Sequence, residues 1–137
     1  MTPDQENAAR VAIHHIMAVY NNAGDRGKID EMISVFGLLA VLEVGDRAFH
    51  GREAIAQFLR SVIDGAAGAD FSGSRHHLTT SRIEFGGDDD YALGWTYFFV
   101  ARRGITLQEG IYVDRFERAE SGWRIARRRI KILFAAH

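Results

Sequence analysis

The second half of the chain is an almost unbroken series of strand-forming segments, and this limits the fold more than any other feature. Leu78 to Phe85, Tyr91 to Arg102, Ile105 to Glu117 and Trp123 to about Phe134 are rich in β-branched and aromatic residues. Gly86-Gly87-Asp88, Arg103-Gly104 and Glu120-Ser121-Gly122 separate them. Connections this short join antiparallel neighbours. Four long strands in succession therefore form one antiparallel sheet, and its apolar face must be covered by what comes before.

The first half supplies that cover. Pro3-Asp4 opens a helix whose acidic residues Asp4 and Glu6 suit its positive end. Ala9, Ile13, Ile16, Met17 and Tyr20 make one apolar face, and Asn21-Asn22-Ala23-Gly24 is the expected stop. A second helix spans about Lys28 to Phe36, with Ile29, Met32, Ile33 and Phe36 as its stripe. Val41 to Val44, Gly45-Asp46 and Arg47 to His50 read as a tight hairpin. A third helix starts at Gly51-Arg52 and buries Ile55, Phe58, Leu59 and Val62. Asp64 to Ser74 has small residues and no period, which suits a lid or binding loop. The order is two helices, a hairpin, a helix and four strands, an α+β arrangement. Three helices cannot cover both faces of so long a sheet. A curved sheet wrapping the helices encloses a pocket and leaves its outer face to solvent or a second subunit.

With 137 residues, nearly half of them apolar, residues 1–137 read as one domain around a single core. A net charge of −1 gives no reason to expect nucleic acid or an acidic membrane as partner. The run Arg127-Arg128-Arg129-Ile130-Lys131 alternates with apolar residues and suits a solvated or salt-bridged strand face. There is no cysteine, which excludes disulfides and thiolate chemistry. The N-terminus lacks the basic and apolar regions of a leader, and no apolar run reaches membrane-span length, so a cytoplasmic protein is expected. The histidines lack metal-ligand spacing and there is no glycine-rich phosphate loop, so neither metal nor cofactor is expected.

The chemistry-bearing stretch is Arg75-His76-His77-Leu78. Strand alternation counted along this segment puts His77, Thr79, Ser81, Ile83 and Phe85 on one face. His77 is therefore the histidine expected to look inward, where an imidazole can exchange protons near neutral pH. A plain backbone hydrogen bond at a strand end is the other reading. Asp25, just past the first helix, either caps the second helix or simply faces water, and the cap is the favoured reading. Asp114 shares a face with Tyr112 and Phe116, and points either into an apolar cavity or to a salt bridge with Arg127, Arg128 or Arg129.

These pieces together resemble the SnoaL-like group of the NTF2-like superfamily. The likeness is carried by Tyr20 through Asp30, Phe36 to Val44, Gly51-Arg52-Glu53-Ala54-Ile55, Arg75-His76-His77, Gly110 to Arg118 and Gly122-Trp123-Arg124-Ile125-Ala126. The resemblance implies a conical α+β fold with a deep pocket, commonly dimerised through the sheet. In the branch holding scytalone dehydratase and hexachlorocyclohexane dehydrochlorinase, a carboxylate at the end of the first helix orients a histidine at the start of the mid-chain strand. Asp25 and His77 fall on those positions. The resemblance thus implies a cofactor-independent lyase or isomerase acting on an apolar, cyclic or polyketide-like molecule, with His77 as base and Asp25 as its partner. Tyr20, Trp95, Tyr97, Tyr112 and Asp114 are the expected pocket residues. The isomerase branch's own base is replaced by Val44, and Thr96 stands near the dehydratase's second histidine. A polyketide-cyclase-like aldol catalyst and a non-catalytic ligand-binding or dimerisation module remain alternatives on the same scaffold.

Overall fold

The computed structural model describes residues 1–136. Helix α1 runs Pro3–Asp25, α2 Ile29–Ile33 and α3 Arg52–Ile63; the strands are β1 Phe36–Val44, β2 Arg47–His50, β3 Arg75–Phe85, β4 Tyr91–Arg102, β5 Ile105–Ala119 and β6 Gly122–Ala135. Thr2 starts α1 with a capping box: its hydroxyl accepts from the Gln5 amide, and the Gln5 side chain accepts from the Thr2 amide. The helix passes through Gly24 and is terminated later, where Gly27 takes φ +69° and Lys28 N–H donates to Ala23 O at 2.8 Å. Gly24 serves close packing instead, because a Cβ there would sit 2.9 Å from Met32 Cε.

The sheet is α+β in class, curved and unclosed, with strand order β2-β1-β6-β5-β4-β3. The second half is the expected antiparallel meander, and β1 joins its far side by pairing parallel to β6. Between Phe36 and Val41 that parallel register shifts, and Leu38 and Leu39 are left exposed. The core lies between the helices and the concave face, built on Ile13, Met17, Phe36, Leu42, Ile55, Val100, Phe116 and Ile125. Arg52 ties α3 to β1, its Nε donating to Phe36 O at 2.8 Å. On β4 the alternation is regular: Ala92, Gly94, Thr96, Phe98 and Val100 are buried, whereas Trp95 and Tyr97 face outward.

Candidate active site

Asp25, the last residue of α1, points across to the first turn of β3. Its two carboxylate oxygens accept from one residue: the His76 backbone N–H at 2.9 Å and the His76 ring Nδ1 at 2.7 Å. The capping alternative is excluded by geometry, since Lys28 stands at the N-cap of α2 and no side chain caps that helix. Placing the hydrogen on Nδ1, where the carboxylate accepts it, leaves Nε2 as the lone-pair nitrogen. Among the described residues Nε2 has no hydrogen-bond partner.

The carboxylate thus meets His76, and His77 stands on the opposite face, exposed and stacked on Phe99 with centroids 4.7 Å apart. The cause is a register shift in β3. Leu78 pairs with Phe98 and Ser81 with Thr96, so three steps on β3 match two on β4. One extra residue in Thr79-Thr80 is a β-bulge, and it inverts the alternation. Ser81, Ile83 and Phe85 face inward after it; His76 and Leu78 face inward before it. Counting back from Ile83 therefore arrives at the wrong histidine.

His76 lies at one side of a cavity of about 240 Å³ between α1, α3 and the sheet. Its walls are mostly apolar, including Met32, Val44, Leu59, Phe98 and Ile130, and Tyr20, Asn21, Tyr112 and Gln108 bring polar atoms to them. The aromatic groups are layered. The His76 ring stacks on Phe98 at 6.1 Å, Phe98 stacks on Tyr112 at 4.3 Å, and the Arg128 guanidinium lies 4.0 Å from Tyr112 and 4.5 Å from Tyr20. Tyr112 Oη accepts from Asn21 Nδ2 at 3.0 Å. Burial pushes both phenols above their ordinary value, which keeps them neutral.

Asp114 is buried but does not line the cavity. Arg128 occupies both of its oxygens, donating from Nε at 2.8 Å and from Nη2 at 2.9 Å. Burial pushes the Asp114 carboxyl up while Arg128 opposes the shift; for Arg128, burial is the largest single effect and lowers it, but the charge and hydrogen bond of Asp114 together with the two tyrosines hold the guanidinium above its ordinary value. The bidentate geometry decides between these tendencies: two short N–H···O bonds to a guanidinium are those of a carboxylate anion. Arg128 Nη1 and Asn21 Oδ1 are left buried without a partner among the described residues. Trp95 and Tyr97 are also outside the cavity, 37% and 51% exposed, in a groove on the outer face beside Ile111 and Val113. Their aromatic character suggested a pocket wall, and strand parity assigns them to the other side. Thr96, the inward neighbour of both, is buried and shares a hydrogen bond with Ser81 Oγ at 2.8 Å. Among the described residues no three His, Asp or Glu side chains cluster as metal ligands.

Residues 5–129 match the family described as the SnoaL-like domain. The chain belongs to that family. Solved structures with the same fold include a candidate scytalone dehydratase from Novosphingobium aromaticivorans (21% identity, covering 99% of this chain and 91% of that one, TM-score 0.82). Hexachlorocyclohexane dehydrochlorinase LinA-type3 from Novosphingobium barchaimii is similar at 18% identity, 96% and 90% coverage and TM-score 0.79. An NTF2-like protein with a cystatin-like fold, also from N. aromaticivorans, matches at 24% identity, 96% and 86% coverage and TM-score 0.80. No curated protein sequence matches significantly. No helix of this SnoaL-like chain, among the described residues, is long and apolar enough to cross a membrane. Two site features are not resolved by a sequence reading. Asn21 is an unremarkable helix residue until Tyr112 is placed beside it. Arg128 is one of three arginines that could pair with Asp114, and parity from Trp123 and Ile125 picks the other two; a register shift, with Ile125 opposite Phe116 but Arg127 opposite Arg115, turns Arg128 inward instead.

Proposed function

We propose that the protein is a cofactor-independent lyase or isomerase in which His76 Nε2 removes a proton from a carbon of a small, apolar ring compound. The observation that carries this reading is the 2.7 Å contact between Asp25 Oδ1 and His76 Nδ1 at the edge of an apolar cavity. Asp25 fixes the tautomer and stabilises the imidazolium that forms. In an elimination the C–H electron pair becomes the new double bond, and the leaving group departs with the electrons of its own bond. The imidazolium then returns its proton to a departing hydroxide, or to water where the leaving group is a halide. Tyr112 suits the electrophilic role: its oxygen accepts from Asn21, so its own neutral O–H is left to donate to a developing oxyanion. The enzymes among the structural neighbours support eliminations as the class to try first.

The test is turnover against a panel of hydroxylated and halogenated ring compounds. His76→Ala is expected to lose about 10²- to 10⁴-fold in rate, Asp25→Asn to lose nearly as much, and His77→Ala to keep wild-type activity. A folded His76→Ala protein that turns over at the wild-type rate removes His76 as the base.

We further propose that two copies pair through the outer sheet face. The apolar strip of Trp95, Tyr97, Ile111 and Val113 is flanked by both charge signs, Arg82, Arg129 and Lys131 with Glu84, which suits self-association. Sedimentation is expected to give a dimer, and Trp95→Glu a monomer. A wild-type monomer at high concentration removes this assembly.

A further inference from the structure

Loop 64–74, between α3 and β3, carries a side chain that bears directly on the imidazole. Phe71 lines the cavity, and its ring centroid lies 6.4 Å from that of His76, whose ring also stacks on Phe98. We propose that Arg102, at the end of β4, is a positioning residue that latches this loop so that Phe71 closes over His76. Ligand entry and exit then require the latch to open.

The hydrogen bonds of the loop fall into two sets. Its first half bonds only to itself and to the end of α3: Gly65 N–H to Val62 O, Ala67 N–H to Ser61 O, Gly68 N–H to Gly65 O. Its second half folds tightly around Phe71. Asp70 Oδ1 accepts from Ser72 N–H at 2.9 Å and Ser72 Oγ at 2.6 Å, and Phe71 O accepts from Ser74 N–H at 3.1 Å and Ser74 Oγ at 2.6 Å. Among the described residues, Arg102 alone ties this second half to a distant element by side-chain hydrogen bonds. Its Nη1 donates to Ser72 O at 2.8 Å and Asp70 O at 3.3 Å, with the Asp70 carboxylate 3.9 Å away. Among the described residues, no other side chain from beyond the loop hydrogen-bonds to it. The two acceptor carbonyls flank Phe71, so the guanidinium holds the peptide segment that presents the ring.

The hinges are present as well. Gly65, Gly68 and Gly73 all have positive φ, at +81°, +100° and +71°, a conformation that glycine adopts at little steric cost. Asp70 is held below its ordinary range, chiefly by the two Ser72 hydrogen bonds, with a smaller contribution from the Arg102 charge. The latch is partly solvated, as a segment that must open repeatedly requires. The catalytic consequence, exclusion of water from the base, rests on the function proposed above; the latch itself does not.

The experiment therefore uses the protein alone. Arg102→Ala, Arg102→Lys and Phe71→Ala are compared with the wild type by amide hydrogen exchange and by the proton chemical shift of the His76 imidazole at one fixed pH. In Arg102→Ala the Ser72 and Ser74 amides are expected to exchange about tenfold faster or more, while the amides of β4 and β5 are unchanged. The imidazole resonance moves toward its position in Phe71→Ala, because both variants remove the same ring current. Arg102→Lys, which keeps a donor and the charge, falls between. Unchanged loop exchange, an unmoved imidazole resonance, or faster exchange spread evenly through the sheet would each overturn the latch. An inactive His76 would not alter any of these readouts, so the two ideas fail separately.

Discussion

Arg128 concentrates several interactions in one side chain. It neutralises Asp114, fills the space between the Tyr20 and Tyr112 rings, and reaches no solvent. Breaking a buried pair costs far more than either partner gains from it, because the remaining charge has no compensation. Arg128→Met is accordingly expected to lose about 3 to 5 kcal/mol of stability in urea denaturation. Joint replacement of Asp114 by Leu should restore most of it, since an apolar pair of similar volume leaves no orphan charge. The pH dependence of the single variant has a definite sign. Burial already raises the Asp114 carboxyl, and without Arg128 nothing opposes that shift. The folded variant then holds a proton that the unfolded chain gives up, so its deficit shrinks as pH falls and grows as pH rises. A deficit independent of pH, or one as small as that of an exposed pair, would mean that the Asp114 charge is compensated elsewhere.

At the scale of elements, periodicity carried most of the information. The apolar stripe Ala9, Ile13, Ile16, Met17 and Tyr20 needed nothing but helical spacing, and all five are buried where α1 meets the sheet. The β-rich second half likewise needed only its turns. Periodicity failed where a strand contains a local irregularity. Thr79-Thr80 gives no composition signal for a bulge, because two threonines suit a regular strand as well. The extra residue is visible only in the pairing with β4, and it turns His76 rather than His77 inward toward Asp25. The same limit explains Trp95 and Tyr97: residue type suggested a pocket, whereas face depends on counting from a buried neighbour such as Thr96. Asp25 was legible as a candidate only through the family resemblance, since its position alone reads as a helix cap or a surface carboxylate. The same resemblance reached the adjacent histidine, and the bulge accounts for the difference of one residue.

For the molecule as a whole, the critical connection is the parallel pairing of β1 with β6, which joins the helical first half to the meander. One ion pair reinforces it on the surface, Glu43 to Arg127. That contact holds the Glu43 carboxyl below its ordinary value of 4.5, chiefly through the Arg127 hydrogen bond and against a small opposing effect of burial, with the charges of Arg127, Arg129 and His50 adding to it. A carboxylate with a depressed folded pKa stabilises the fold at every pH above its unfolded value, and loses that contribution as pH falls through the folded one. Glu43 lies at the surface with 21% of its side chain exposed and its partner Arg127 with 59%, so the contribution is small, below about 1 kcal/mol, and salt reduces it further. Acid sensitivity of the whole fold sums over every carboxylate, which hides one pair; the difference between wild type and Glu43→Gln isolates it. Urea midpoints of both proteins between about pH 3 and pH 7 are expected to differ at neutral pH, with the wild type the more stable. The two curves should converge below pH 4.5, where the wild-type glutamate takes up its proton. A gap that persists unchanged into acid would mean that the side chain contributes by packing on β6 rather than by charge.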